Sequence, residues 1–350
     1  AVAAAVRDAA AAADLGEKLR AIVSQPFAFD GRELQVTASV GITFYDGGEL
    51  TAQELIRHAH VAMHHARSAG KSGSCFFSQA IQEHAHQTLE LLHALRFAQE
   101  RREFVLHYQP QVAARSGRIA GAEALPRWRH PDLGLIPPDR FIPLAERSGL
   151  IVPIGAWVLD EACRQLKEWH GADQNQWSMS VNLSTVQFNH PDLVSMIRET
   201  LNRHDLAPTR LTLEMTESTA MRDPDRSMVI LSRLSEMGVR ISIDDFGTGH
   251  SSFLYLKRFP AHEIKIDRGF VRDLIHDSED AAIIAAIVAL GRTLDLAIVA
   301  EGVETTSQRE LLTDLGCQIL QGYLLGPPVP ADQFLRRFGT SAHNTGSASL

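Results

Sequence analysis

The chain has 350 residues, 45% hydrophobic and 22% charged, with a formal net charge of -8. This length suits about two domains. The acidic balance argues against a surface for a nucleic-acid polymer, which needs basic faces, but leaves room for a phosphate-containing substrate held through cations. Cys75, Cys163 and Cys317 lie far apart with no CxxC spacing. That spacing argues against a disulfide framework or a thiolate zinc site and fits a reducing compartment. No apolar run reaches the ~18 residues of a membrane span, so the expected location is cytoplasmic, with any membrane anchor carried by upstream segments of a longer protein.

The opening AVAAAVRDAAAAADLGEKL has no starting Met and lacks the apolar core and cleavage site of a signal peptide. It reads as a helix in a chain cut from something longer. FAFDGRELQVTASVGITFYDGG follows as a hairpin, with Asp30-Gly31 turning between alternating strands. LTAQELIRHAHVAMHHARSAGKS reads as a second helix, entered at Leu50-Thr51 and ended by Gly70. Residues 1–80 form a block too small to bury a complete α/β core alone, and 81–103 reads as a polar connecting helix.

From residue 104 to 339 strands and helices alternate. Strands are expected near FVLHYQPQV, IAGAEAL, SMSVNLS, RLTLEMTE, VRISIDDF, EIKIDRGF, AIVAEGV and CQILQGYLL. Amphipathic stretches such as WVLDEACRQLKEWH and SMVILSRLSEMG lie between them. Eight strands in roughly 240 residues match an α/β fold of the (β/α)8 type. An open doubly wound sheet is the alternative, but no GxGxxG follows the first strand. AARSGR alone joins the first two strands, too short for a helical crossover, so they must pair antiparallel. The small polar tail, 340–350, is expected to be disordered.

The later strands end in polar residues that a buried strand would not choose. These are Glu123, Asn182, Glu214 and Glu217, then Asp244 and Asp245, Lys265 and Asp267, Glu301 and Glu304, and Gln321. A single strand-end acid, even the pair in ISIDDFGTG, reads as a turn with a helix cap. Acids on strand after strand converge on the C-terminal rim of a barrel, where they repel one another unless cations lie between them. All-oxygen ligation suits Mg²⁺ or Mn²⁺ rather than zinc. The histidine-rich HAHVAMHHARS and EHAHQ read as exposed helical faces, Trp128, Trp157, Trp169 and Trp177 as core, and the cysteines as inert.

EALPRW, NLS, LEMTES, DDFGTGHSS, KIDR, AEGVE and QGYLLGPP, in that order, resemble the EAL-domain cyclic di-GMP phosphodiesterases over about residues 88–338. TASVGIT and AMHHARSAGKSGSCFF are similar to the closing strand and helix of a GGDEF, or diguanylate cyclase, domain. The GGDEF signature itself does not occur, so no cyclase activity is implied. The resemblance implies a modified (β/α)8 barrel with an antiparallel first strand, behind a partial α+β GGDEF-like segment. It implies hydrolysis of cyclic di-GMP to linear pGpG at two metal ions, Mg²⁺ or Mn²⁺, with Ca²⁺ inhibitory, in a homodimer.

By the same resemblance, Glu123, Asn182, Glu214 and Asp244 hold one metal, and Asp244, Asp245 and Glu301 the other. Lys265 lies by the attacking water, and either it or Glu301 takes the central catalytic role. Gln321 serves at the rim, Gln109, Arg127 and Asp267 contact substrate, and Glu217 anchors the FGTGHSS loop. Pro126, His250 and Gly269 depart from the family pattern, and Pro126 bears on the direction of Arg127. Two other readings stay open: a cyclic di-GMP receptor without turnover, and a scaffold for assembly.

Overall fold

The computed structural model describes residues 6, 8–45, 49–68, 73–172, 174, 176–247 and 253–339. The chain divides into two units, Ala1–Ala94 and Leu95–Leu350. In the first, Asp30 and Gly31 both take left-handed backbone, φ 49° and 73°. This is the geometry that a two-residue hairpin turn demands, and it joins β1 (Phe27–Phe29) to β2 (Arg32–Leu34). The expected hairpin stops there. β3 (Val40–Ile42) instead pairs parallel with β4 (Ser74–Phe76), which lies beyond the helix Ala52–Ser68. Gly41 permits this packing, because a Cβ at that position would lie 1.9 Å from the Ala59 carbonyl oxygen of that helix. Thr51 caps the helix by exchanging hydrogen bonds with Glu54. The expected stop at Gly70 lies outside the described residues, as does the tail 340–350.

The second unit is a closed barrel. β5 (Phe104–Ala113) and β6 (Ile119–His130) are antiparallel, as the short AARSGR link requires. β8 (Ser178–Asn182), β9 (Leu211–Thr216), β10 (Arg240–Phe246), β11 (Glu263–Ile266), β12 (Ala297–Ala300) and β13 (Ile319–Leu320) continue parallel from β6. β13 then closes on β5, antiparallel. A short β7 (Gly134–Ile136), not evident in the sequence, adds to the end of β6.

The core lies between the barrel wall and its helices. Outward-facing Leu213, Met215, Ile241, Ile243, Ile264, Ile266 and Ile298 are buried, as are the apolar faces of the surrounding helices, with Ile151–Gly171 packed on β8, Pro224–Glu236 on β10 and Ser278–Leu294 on β11 and β12. A second cluster forms where the helix Ala331–Phe338 returns to the barrel. There Phe334 stacks on Trp169 with ring centroids 4.8 Å apart, and Tyr108 and Trp177 meet the same pair edge-on. Trp128, Trp169 and Trp177 are buried, and Trp157 is half-buried beside Phe104. Among the described residues, no helix is long and apolar enough to cross a membrane.

Candidate active site

The alternation of a β-strand sends successive side chains to opposite faces. In β9, Leu213 and Met215 turn out to the helices, so Glu214 between them turns in. In β11, Ile264 and Ile266 do the same for Lys265. Barrel closure then brings the inward residues of separate strands together. Lys265 Nζ lies 2.7 Å from Glu214 Oε2, 2.5 Å from Glu301 Oε1, 3.6 Å from Asp244 Oδ1 and 3.7 Å from Glu123 Oε2. Both oxygens of Glu123 are held by amides. Asn182 Nδ2 donates to Oε1 at 2.6 Å, and Gln321 Nε2 donates to Oε2 at 2.5 Å. Gln321 also donates to Gln109 Oε1, and Gln109 in turn donates to the Gly326 carbonyl.

This crowding shifts the acids and the base. Burial pushes the Glu214 carboxyl well above the usual range, against the pull of Lys265. Burial also raises Glu301, to about 7, with Lys265 again opposing. Burial alone would lower Lys265, but Glu123, Glu214, Glu301 and Asp244 outweigh it and hold the ammonium protonated.

The adjacent aspartates need more than alternation. β10 pairs in register with β9 through Asp244, but against β11 its register slips between Ile243 and Phe246, the mark of a bulge. Asp245 sits in that bulge with φ at 53°, a left-handed backbone that Asp tolerates better than most residues. Its amide donates to Asp244 Oδ1 at 2.9 Å. Burial, then the charges of Asp244 and Asp267, raise the Asp245 pKa. Behind the pair, buried Glu217 opens a short helix and accepts from the Gly247 amide at 3.2 Å. The rest of the FGTGHSS loop, including His250, lies outside the described residues.

A cavity of about 320 Å³ opens over this cluster. It brings Gln109, Glu123, Arg127, Asp244, Lys265, Glu301 and Gln321 to one surface, with Glu304 at its edge. Glu214 lies beneath, fully buried. Asn182 lines a neighbouring apolar cavity and meets the cluster through Glu123. Asp267 lies outside the lining, where its Oδ1 caps the helix Arg268–Arg272 through the Gly269 amide. Arg268 and Tyr323 also line the cavity; only their positions next to KID and two residues after Gln321 hinted at it. Pro126 sits where β6 has left β8 and not yet met β7, so its missing N–H falls where only β5 is paired. Arg127 still faces the cavity while donating to the Pro126 carbonyl at 2.9 Å.

Among the described residues, no three His, Cys, Asp and Glu side chains form a ready metal cage; the carboxylates gather on Lys265 instead. The donor set nevertheless fits hard divalent cations, since carboxylate and amide oxygens are what Mg²⁺ and Mn²⁺ take. Glu214 Oε1 is also buried with no hydrogen-bond partner, a lone-pair donor left over by the protein's own bonding.

Comparison with known proteins shows the family of the chain. The family described as "EAL domain" matches residues 91–328, and "Diguanylate cyclase, GGDEF domain" matches residues 2–73. The bifunctional diguanylate cyclase/cyclic di-GMP phosphodiesterase MucR of Pseudomonas aeruginosa is 58% identical over 329 residues, 94% of this chain and 48% of MucR. The cyclic di-GMP phosphodiesterase NbdA of the same organism is 40% identical over 327 residues, 93% of this chain and 42% of NbdA. The chain thus spans less than half the length of these two relatives. The solved PaMucR phosphodiesterase, in complex with c-di-GMP, shares 64% identity at a TM-score of 0.69, covering 70% of this chain and all of that one. The chain belongs to the EAL domain family, with a partial GGDEF domain ahead of its barrel.

Proposed function

We propose that the barrel hydrolyses one phosphodiester bond of cyclic di-GMP to give linear pGpG, with Mg²⁺ or Mn²⁺ as cofactor. The observation that carries this reading is the meeting of Glu123, Asp244 and Glu301 on the lining of a cavity that also carries Arg127, with Glu214 buried beneath them on the same ammonium. The activities named for MucR and NbdA support it.

Glu123, Asn182, Glu214 and Asp244 would hold one cation, and Asp244, Asp245 and Glu301 a second. Such a pair supplies Lewis-acid activation of water and charge neutralisation at phosphorus. The protein's own groups do the rest. Arg127 offers a planar donor fork to phosphate oxygens, and Gln109 an amide beside it. Lys265 places a fixed positive charge where negative charge develops. Glu301, in the cavity lining and in contact with the Lys265 ammonium, is the carboxylate placed to accept a proton there. Assembly as a homodimer through the barrel and a cytoplasmic location belong to the same proposal.

The test is incubation with cyclic di-GMP and Mg²⁺ or Mn²⁺, followed by chromatographic product analysis. The expected result is pGpG, none in EDTA, and inhibition by Ca²⁺, whose longer bonds and higher ligand number spread a site built for small octahedral ions. Binding without product would instead make the chain a receptor.

A further inference from the structure

We infer that Lys265 is a built-in counter-cation of the carboxylate cluster, and that divalent cations load by displacing its ammonium from Glu214 and Glu301. The inference rests on the proposed cation site and adds a competitor to it.

One ammonium touches the acids of four strands, Glu123 on β6, Glu214 on β9, Asp244 on β10 and Glu301 next to the end of β12. Its two short contacts use the oxygens Glu214 Oε2 and Glu301 Oε1, from residues assigned to the two different cations. Ammonium and cation draw on the charge of the same two carboxylates, so they compete for them even though Glu214 Oε1 carries no hydrogen bond of its own. Solvent reaches only 1% of the Lys265 side chain, so water cannot take over its role in screening the acids. Four carboxylates at this spacing repel one another strongly without a positive charge among them. Lys265 therefore keeps the cluster assembled and at the same time weakens its hold on a divalent ion. Removing its charge has two opposite effects that a merely structural residue would not produce together. The cation-free protein loses stability, and cation affinity rises. A unit charge within 4 Å at an effective dielectric near 20 is worth several powers of ten at most, so a gain of at least about tenfold is expected after relaxation.

The experiment titrates wild type, Lys265→Met and Lys265→Arg with MgCl₂ and MnCl₂ at pH 8.5 and constant ionic strength. Isothermal calorimetry and thermal unfolding serve as readouts, without substrate. The expected result is that Lys265→Met unfolds at a lower temperature in EDTA, binds Mg²⁺ at least about tenfold more tightly, and gains more from saturation than wild type does. Lys265→Arg, which keeps the charge, shows no such gain. A Met variant that folds only with Mg²⁺ supports the inference by the same logic. Equal or weaker Mg²⁺ binding by Lys265→Met overturns it, as does a Met variant unfolded at saturating Mg²⁺. One measurement needs no variant: in wild type, the ζ-nitrogen NMR resonance of Lys265 should shift on Mg²⁺ saturation, and an unmoved resonance overturns the inference. Cation binding by wild type without these effects sinks this inference alone. No divalent-cation binding by wild type sinks the proposed metal-dependent function with it.

Discussion

Lys265 Nζ lies 2.7 Å from Glu214 Oε2, with solvent reaching 1% of the first side chain and 0% of the second. Strands β9 and β11 are not neighbours, since β10 lies between them, so the contact crosses the barrel interior. Breaking a buried pair on one side is destabilising because the remaining charge loses its partner. Lys265 keeps Glu301, which moderates the loss. Because burial and the neighbouring acids already disfavour the Glu214 charge, Glu214→Ala is expected to abolish turnover while leaving the unfolding free energy in EDTA at pH 8 unchanged or higher. Urea unfolding checks the second expectation, and a clear loss of stability would show that the pair outweighs the cost of burying the charge.

A second prediction concerns the opposite end of the barrel. His262 Nδ1 accepts from the Ile241 amide at 3.2 Å, while the His262 backbone bridges β10 and β12 through Ile241 and Ala297. Burial, aided by Arg240, lowers the His262 pKa below its ordinary value near 6.5. The unfolded chain therefore binds more protons between the two pKa values, and stability rises with pH up to about 6.5. It falls as pH drops below that point, by at most about 1.4 kcal/mol per pH unit for one proton. His262→Gln keeps an acceptor and removes the proton, so its stability should decline less steeply from pH 6.5 to 5. Parallel slopes for variant and wild type would contradict this assignment.

The aromatic cluster makes a third. Phe334→Ala removes the ring stacked on Trp169 and contacted by Tyr108 and Trp177. A loss of about 3–5 kcal/mol is expected from the emptied space. Differential scanning calorimetry reads it as a lower unfolding temperature, with Mg²⁺ still stabilising whatever remains folded.

Much of the barrel was legible because its signals are local. Alternation and polar strand ends located all eight barrel strands, and the AARSGR link forced β5 and β6 to be antiparallel. β7 carries no signal in the sequence because three residues in HPDLGLIPP leave no room for alternation. Alternation alone joins β3 to the hairpin, while its real partner β4 lies beyond a helix, a non-local pairing that periodicity does not report. The same holds at the site. The acids could be placed on a common rim, but the engagement of Lys265 with Glu214 and Glu301 depends on how closure sets distances across the barrel. The bulge at Asp245 depends on a register slip against β11, which no pattern in ISIDDF encodes. Arg268 and Tyr323 reach the cavity from the residues just beyond strands, where turn geometry decides direction.

The fourth prediction concerns Glu217, which holds the Gly247 amide behind the aspartates. Gly247 has φ at 97°, which a side chain would strain, and a Cβ there would lie 3.0 Å from the Phe270 ring. The backbone leaving Asp245 is therefore tightly constrained, and Glu217 is one of its restraints. Glu217→Ala should raise the Mg²⁺ concentration needed for half-maximal activity and recover part of its rate in excess Mg²⁺. Asp244→Ala should recover none. Identical metal dependence in wild type and Glu217→Ala would make the contact a passive connection.

The most direct test of the central claim is the rate of pGpG formation from cyclic di-GMP by folded Glu123→Ala at saturating Mg²⁺, beside wild type. Glu123 holds Asn182 and Gln321 and faces Lys265 across the cavity floor. With Glu123 as a cation ligand, wild type should turn over and the variant should lose activity by at least about a hundredfold, roughly the loss of a single transition-state contact. Near-wild-type turnover in a Glu123→Ala protein with a native circular dichroism spectrum would contradict the assignment of this cluster as the hydrolytic site.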